Sequence, residues 1–171
     1  VFLILNERKL TDLILIGGNY RSITGAFVGT LTSQNLANLQ FSKAFVSCNG
    51  IKDNAIATFS EEEGESQRIA LNNSNKKYLL ADNSKFNKFD FYTFYNISDI
   101  DIIVSDSKLS KETFDQLSKQ TKINNVFIGE MCTALCLTCR IVNKILIFAW
   151  LTVALSFFPI GVEKVLHAEM I

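Results

Sequence analysis

The feature that most limits how this chain can fold is the recurrence of short apolar runs, each stopped by a polar or glycine-bearing turn. Ala44-Phe45-Val46-Ser47-Cys48, Tyr78-Leu79-Leu80-Ala81 and Ile100 to Val104 are each only four or five residues long. That length suits a buried strand and is too short for a helix. Leu10 to Ile16 has the same texture and stops at Gly17-Gly18, so it predicts another strand, and Asn125 to Ile128 predicts a last one. Helical stretches fall between the runs. Thr32 to Leu39 reads as a short helix. Ser60 reads as an N-cap with Glu63 three residues on, a capping box that opens a helix to about Asn73. Glu61, Glu62 and Glu63 then occupy the first turn, where negative charge suits the helix dipole. Ser110 predicts the start of a helix through about Lys119. Strands alternating with helices at this spacing imply an α/β fold with a mainly parallel sheet and flanking helices.

In such sheets ligands sit outside the carboxyl ends of the strands. Cys48-Asn49-Gly50, with Asn49-Gly50 read as a turn, Asp82-Asn83-Ser84-Lys85 and Ser105-Asp106 are all predicted at such ends. Three polar loops converging on one rim are the first functional hint. Lys85 is a mobile point charge, Asp82 accepts from hydroxyls, and Asn49 both donates and accepts. Each also has a plainer reading: a solvated lysine, a loop-capping aspartate and an ordinary Asn-Gly turn.

Composition excludes some functions. Seventeen basic and seventeen acidic side chains cancel to a net charge of zero, so these residues carry no overall basic field for gripping nucleic acid. Residues 1–128 hold most of those charges and read as ordinary soluble protein. Residues 129–171 are a hydrophobic tail in which Ile145 to Val162 is an uncharged run of eighteen. As an apolar helix that run would span ~27 Å, close to a bilayer's hydrocarbon core. The tail is expected to be a membrane anchor, with Arg140 and Lys144 on the cytoplasmic side, a buried helix ended or kinked at Pro159, or the product of a frameshift or fused reading frame. Of the three, the last best fits a chain that opens on Val1 without an initiator methionine. Val1 to Leu5 is too short an apolar run for a signal peptide, and the body is expected to be cytosolic and reduced.

Cysteines at 132, 136 and 139 have the spacing of a radical-enzyme iron–sulfur motif, but the 32 residues after them leave no room for the barrel such enzymes need. The same spacing puts the thiols on one helix face, so they are expected to be apolar packing groups. Zinc held by them with His167 is the alternative, and no metal or cofactor is expected. Phe86, Phe89, Phe91, Tyr92, Phe94 and Tyr95 could stack on bases. With only Lys85 and Lys88 among them, they read better as extended chain at a subunit contact.

The blocks also resemble a known family. Leu15-Ile16-Gly17-Gly18-Asn19-Tyr20-Arg21 with Thr24-Gly25-Ala26-Phe27-Val28-Gly29, then Ser42 to Ile51, Leu80 to Phe86 and Asp99 to Asp106, are similar to the effector domains of DeoR-type bacterial repressors, in the family's order. Their wording, including Phe91-Tyr92-Thr93-Phe94-Tyr95, is similar to that of the lactose phosphotransferase system branch. The resemblance implies an inducer-binding domain responding to a sugar phosphate, tagatose 6-phosphate for that branch. It also implies a homo-oligomer, and operator DNA bound through a helix-turn-helix domain that these residues do not contain. The implied ligand-binding set is Lys85, Asp82, Asn49, Gly50, Glu65 and Arg21, with Arg21 open to a surface ion pair instead.

The family shares the architecture of ribose-5-phosphate isomerase, but the isomerase's Asp-Gly-Ala-Asp position reads Asn49-Gly50-Ile51-Lys52 here, and its glycine-run loop has no counterpart. Only the Asp82/Lys85 block and a helix acid, matched to Glu65, remain. Proton shuttling needs a positioned base and an enediolate scaffold, so binding without catalysis is expected. Family members also carry an Asp-x-Gly-Thr-Thr loop whose backbone cradles phosphate. These residues lack it, so the chain alone should bind sugar phosphate weakly or not at all. That lack, like the missing methionine, favours the frameshift or fused-frame origin of the tail. A phosphosugar isomerase and a membrane-tethered interaction protein are the rival readings.

Overall fold

The computed structural model describes residues 13–126 and 147–148. In chain order its elements are β1 (Asn19–Arg21), β2 (Ala26–Val28), α1 (Thr30–Ala37), β3 (Ala44–Ser47), β4 (Gly50–Lys52), β5 (Ala55–Thr58), α2 (Glu61–Asn72), β6 (Lys77–Leu80), a 3-10 turn (Asn83–Lys85), β7 (Tyr92–Asn96), a second 3-10 turn (Ile97–Asp99), β8 (Ile102–Asp106), α3 (Lys111–Leu117), β9 (Lys122–Val126) and β10 (Ile147–Phe148).

The central sheet runs in the order β10-β3-β6-β8-β9, and every pairing in it is parallel. The three strand runs that carried the α/β expectation are its centre. Their register is continuous: Val46 pairs with Leu79, and Leu79 with Ile103. All three are buried in one apolar cluster with Ile51, Ile56, Leu71, Phe94 and Ile97. Side chains alternate across a strand, so Phe45 and Tyr78 face the opposite way, where their rings stack 4.6 Å apart. On the core face lie α2 and a smaller antiparallel sheet, β4-β5-β7.

Local sequence explains most of these elements. Ser60 Oγ accepts from the Glu63 N–H at 3.3 Å, which starts α2 where the capping motif predicted. The reciprocal half of the box is not made, because the Glu63 carboxylate turns to Thr24 and Arg21 instead. Ser110 caps α3 in the same way, through the Thr113 N–H at 3.2 Å. Gly64 sits where α2 crosses β7. A Cβ there would meet the Tyr92 ring at 2.5 Å, so no larger residue fits without displacing that ring.

Three expectations need correction. Leu13 to Ile16, the described part of the Leu10–Ile16 run, form no strand, and Ile14 and Leu15 are exposed. Among the described residues it is β10 that pairs with Ala44 and Phe45 of β3. Asn49-Gly50 is not a turn. The Asn49 N–H donates to the Ala57 carbonyl at 2.9 Å and Gly50 opens β4. The chain reverses at Asp53, whose φ of 53° lies in the left-handed region that Asp tolerates. Within the tail expected to be helical, Ile147–Phe148 form a strand on Ala44–Phe45, where an unpaired β3 edge offers backbone partners to a β-branched and an aromatic residue. The rest of the tail, with Cys132, Cys136, Cys139 and His167, lies outside the described residues. Among the described residues no helix is long and apolar enough to cross a membrane.

Candidate functional site

Parallel pairing brings the carboxyl ends of β3, β6 and β8 side by side. Ser47 pairs with Leu80, and Leu80 with Val104. The next residues, Cys48, Ala81 and Ser105, therefore form a row on the core face, and the Ala81 N–H continues the ladder to the Val104 carbonyl at 3.1 Å. All three are buried. They make a buried floor of small side chains, with Cys48 and Ala81 part of the apolar core cluster, and the polar loops follow them in the chain.

The Asp82–Lys85 loop is held by its own backbone. Asp82 Oδ1 accepts from the Ser84 N–H at 2.8 Å, and the Lys85 N–H donates to the Asp82 carbonyl at 3.0 Å. This turn keeps both side chains half-buried at the strand end. The Asn49–Gly50 stretch is tied to the residues just beyond that loop. Ile51 bridges Phe86, and the Lys88 N–H donates to the Ile51 carbonyl at 3.2 Å. Gly50 is required here, since a Cβ would meet the Lys88 carbonyl oxygen at 2.6 Å.

Electrostatics places the two loops together as well. Burial pushes the Cys48 thiol up to about 12, an effect that Lys85 opposes and Asp82 reinforces. Such a thiol stays protonated and acts as apolar packing rather than as a nucleophile. Both charges act on it, so Asp82 and Lys85 lie near Cys48. Ser105 shares that floor, fully buried, and its hydroxyl has no hydrogen-bond partner among the described residues. Asp106 alternates to the other face and accepts from the Lys108 N–H at 3.2 Å.

Arg21 and Glu65 are each held by an ion pair of their own. Arg21 on β1 meets Glu62 at 2.7 Å and Glu63 at 3.6 Å, with its guanidinium 5.4 Å from the Phe59 ring centroid. This is the surface pairing that stood as the alternative to a phosphate contact. Glu65 points outward to Arg68, which donates to both its oxygens from one nitrogen at 2.8 and 2.7 Å. The acid that α2 turns inward is Glu63. It is fully buried, accepts from Thr24 Oγ1 at 3.1 Å and has one oxygen without a partner among the described residues. Desolvation raises its pKa to about 7, against the Thr24 hydrogen bond and the Arg21 charge. Gln67, one turn on, is also buried with an unpartnered oxygen. Sequence reading placed Ser105 at a strand end without giving it a role, and missed Glu63 and Gln67 as buried polar groups. The helical phase of Ala70 and Leu71 carried the signal for the latter two.

Residues 1–107 match the model of the DeoR C terminal sensor domain. The chain belongs to that family. Among curated relatives of this DeoR sensor domain is the lactose phosphotransferase system repressor of Lactococcus lactis subsp. lactis, 48% identical over 123 residues, which covers 72% of this chain and 48% of that protein. Its namesake in Streptococcus mutans is 39% identical over 127 residues, covering 73% and 50%. Another in Staphylococcus epidermidis is 42% identical over 111 residues, covering 65% and 41%. The chain spans about half the length of the curated relatives it matches. DeoR sensor domains are not enzymes. Among the described residues no three potential metal-ligating side chains converge.

Proposed function

We propose that this DeoR sensor domain is the inducer-binding part of a cytoplasmic repressor of a sugar operon, and that a sugar phosphate binds over the Cys48–Ala81–Ser105 floor. The observation that carries this reading is the convergence of the Asp82–Lys85 loop and the Asn49–Gly50 segment over adjacent parallel strand ends. Lys85 takes the phosphate as a point charge, Asp82 and Asn49 take sugar hydroxyls, and Gly50 lets the 49–51 backbone lie against residues 88 and 89. Arg21 and Glu65 would join only by exchanging their present ion-pair partners. The ligand is tagatose 6-phosphate, by likeness to repressors named for the lactose phosphotransferase system.

In the full-length protein, ligand binding shifts the relative placement of helix-turn-helix heads on operator DNA. Phe89 and Phe91, exposed beside β7, suit a contact with a second copy. The finer likeness to ribose-5-phosphate isomerase, and the division of the chain at residue 128, belong to the same proposal.

An amide NMR titration of the chain with tagatose 6-phosphate tests it. Binding is expected at about millimolar affinity, since no Asp-x-Gly-Thr-Thr loop is present to cradle the phosphate. Shifts should concentrate at residues 49–50, 82–85 and 105, and Lys85→Ala should abolish saturation. Shifts confined to other faces, or none, would overturn the reading.

A further inference from the structure

We propose that Ser105 is the floor contact of this site, the group that reads a hydroxyl on the carbohydrate end of the ligand while Lys85 holds the phosphate. The inference rests on the sugar-phosphate reading above and adds to it a residue that the loop motifs do not mark. Ser105 lies within β8, so alternation fixes its direction. It follows Ile103 on the core face, beside Ala81 and in line with Cys48. Its side chain is fully buried, yet the hydroxyl has neither donor nor acceptor partner among the described residues. A buried polar group left unpaired destabilises the fold, and an apolar residue of similar size would serve the core better. A hydroxyl there is explained if its partner arrives from outside.

The surrounding charges say which part of a ligand that partner is. Asp82, one residue beyond Ala81, presents a carboxylate at the same end of the sheet, which repels a phosphate dianion and accepts from a neutral hydroxyl. Lys85 supplies the positive charge at the other end of the same short turn. A phosphorylated sugar can satisfy this arrangement in one direction, with its phosphate at Lys85 and a hydroxyl over Ser105. Ser105 both donates and accepts, so it matches a hydroxyl in either sense.

The test uses the labelled chain with two probes, tagatose 6-phosphate and inorganic phosphate. Both should move the Lys85 amide, and only the sugar phosphate should move the Ser105 amide. Ser105→Ala should weaken sugar-phosphate binding by about tenfold, the loss of one hydrogen bond, and leave phosphate binding unchanged. Ser105→Cys, a weaker donor of similar size, should fall between the two. Wild-type affinity for the sugar phosphate in both variants overturns the role of Ser105 and leaves the site standing. If neither probe gives a saturable shift in the unmodified chain, the sugar-phosphate reading fails and this inference with it.

Discussion

The core face of the parallel sheet and the seam between α2 and the β1–β2 hairpin are both buried, but they are held by different physics. On the sheet, Val46, Leu79 and Ile103 stack in register against α2 and the small sheet, and little but hydrocarbon is removed from water. At the seam, Glu63 and Gln67 are as deeply buried as those residues, and their neighbours are Arg21, Thr24 and Glu62. Packing of the first kind does not depend on pH or salt. A buried carboxylate with one oxygen unpaired depends on both. The floor of the proposed site belongs to the apolar region, so a stiff sheet can carry polar loops with a defined geometry.

The largest effect should come from breaking the apolar side. Leu79 is completely buried in the central strand β6, so Leu79→Ala should cost about 2–5 kcal/mol in urea unfolding. That loss should be the same at pH 5 and pH 8. A loss that changed with pH would mean the two regions are energetically one.

A smaller effect should come from Glu63→Gln, and it should carry the opposite signature. The folded-state pKa of Glu63 is raised to about 7 from an ordinary 4.5. Between those values the folded chain holds more protons than the unfolded one, so the Glu63 contribution to stability falls as pH rises. It is fully present below about pH 4.5 and is lost through about pH 7. Glutamine keeps the acceptor for Thr24 and removes the titration. The variant should therefore gain on the parent as pH goes from 5 to 8, by roughly 1 kcal/mol once screening at the seam is allowed for. Parallel pH profiles for the two proteins would show that the seam does not titrate.

The contrast between the regions also explains which parts could be read from sequence. The strands Ala44–Ser47, Lys77–Leu80 and Ile102–Asp106 and the caps at Ser60 and Ser110 depend on neighbours a few residues away, so local pattern finds them to within two residues, although it put Ser105 and Asp106 just beyond a strand that in fact includes them. Leu13–Ile16 look the same locally, but a strand also needs a partner, and at Ala44 and Phe45 of β3 that partner is β10. Asn49-Gly50 reads as a turn because that dipeptide usually makes one. Here its glycine answers to a carbonyl at Lys88, far along the chain. The candidate site follows the same division. Asp82 and Lys85 stand in a recognisable block, whereas the role proposed for Ser105 follows from a sheet register that runs up to Leu80 and Val104. Among the three acids in the sequence Glu-Glu-Glu-Gly-Glu that opens α2 and Glu65 after them, helix phase alone selects Glu63 for the interior.

The smallest effect should come from the outward face of α2, which serves as the control for its inward face. Arg68 grips Glu65 through three short hydrogen bonds, and the pair is an i, i+3 salt bridge with half of the Arg68 side chain in solvent. Water already solvates such a pair, so Arg68→Ala should change stability by about 0–0.5 kcal/mol. It also frees Glu65, and so asks whether that carboxylate was held back from the ligand. A Glu65 engaged only by Arg68 leaves the sugar-phosphate titration unchanged in this variant. A Glu65 able to reach the ligand once released would alter the affinity while stability stayed flat, and would draw the outward face of α2 into the site.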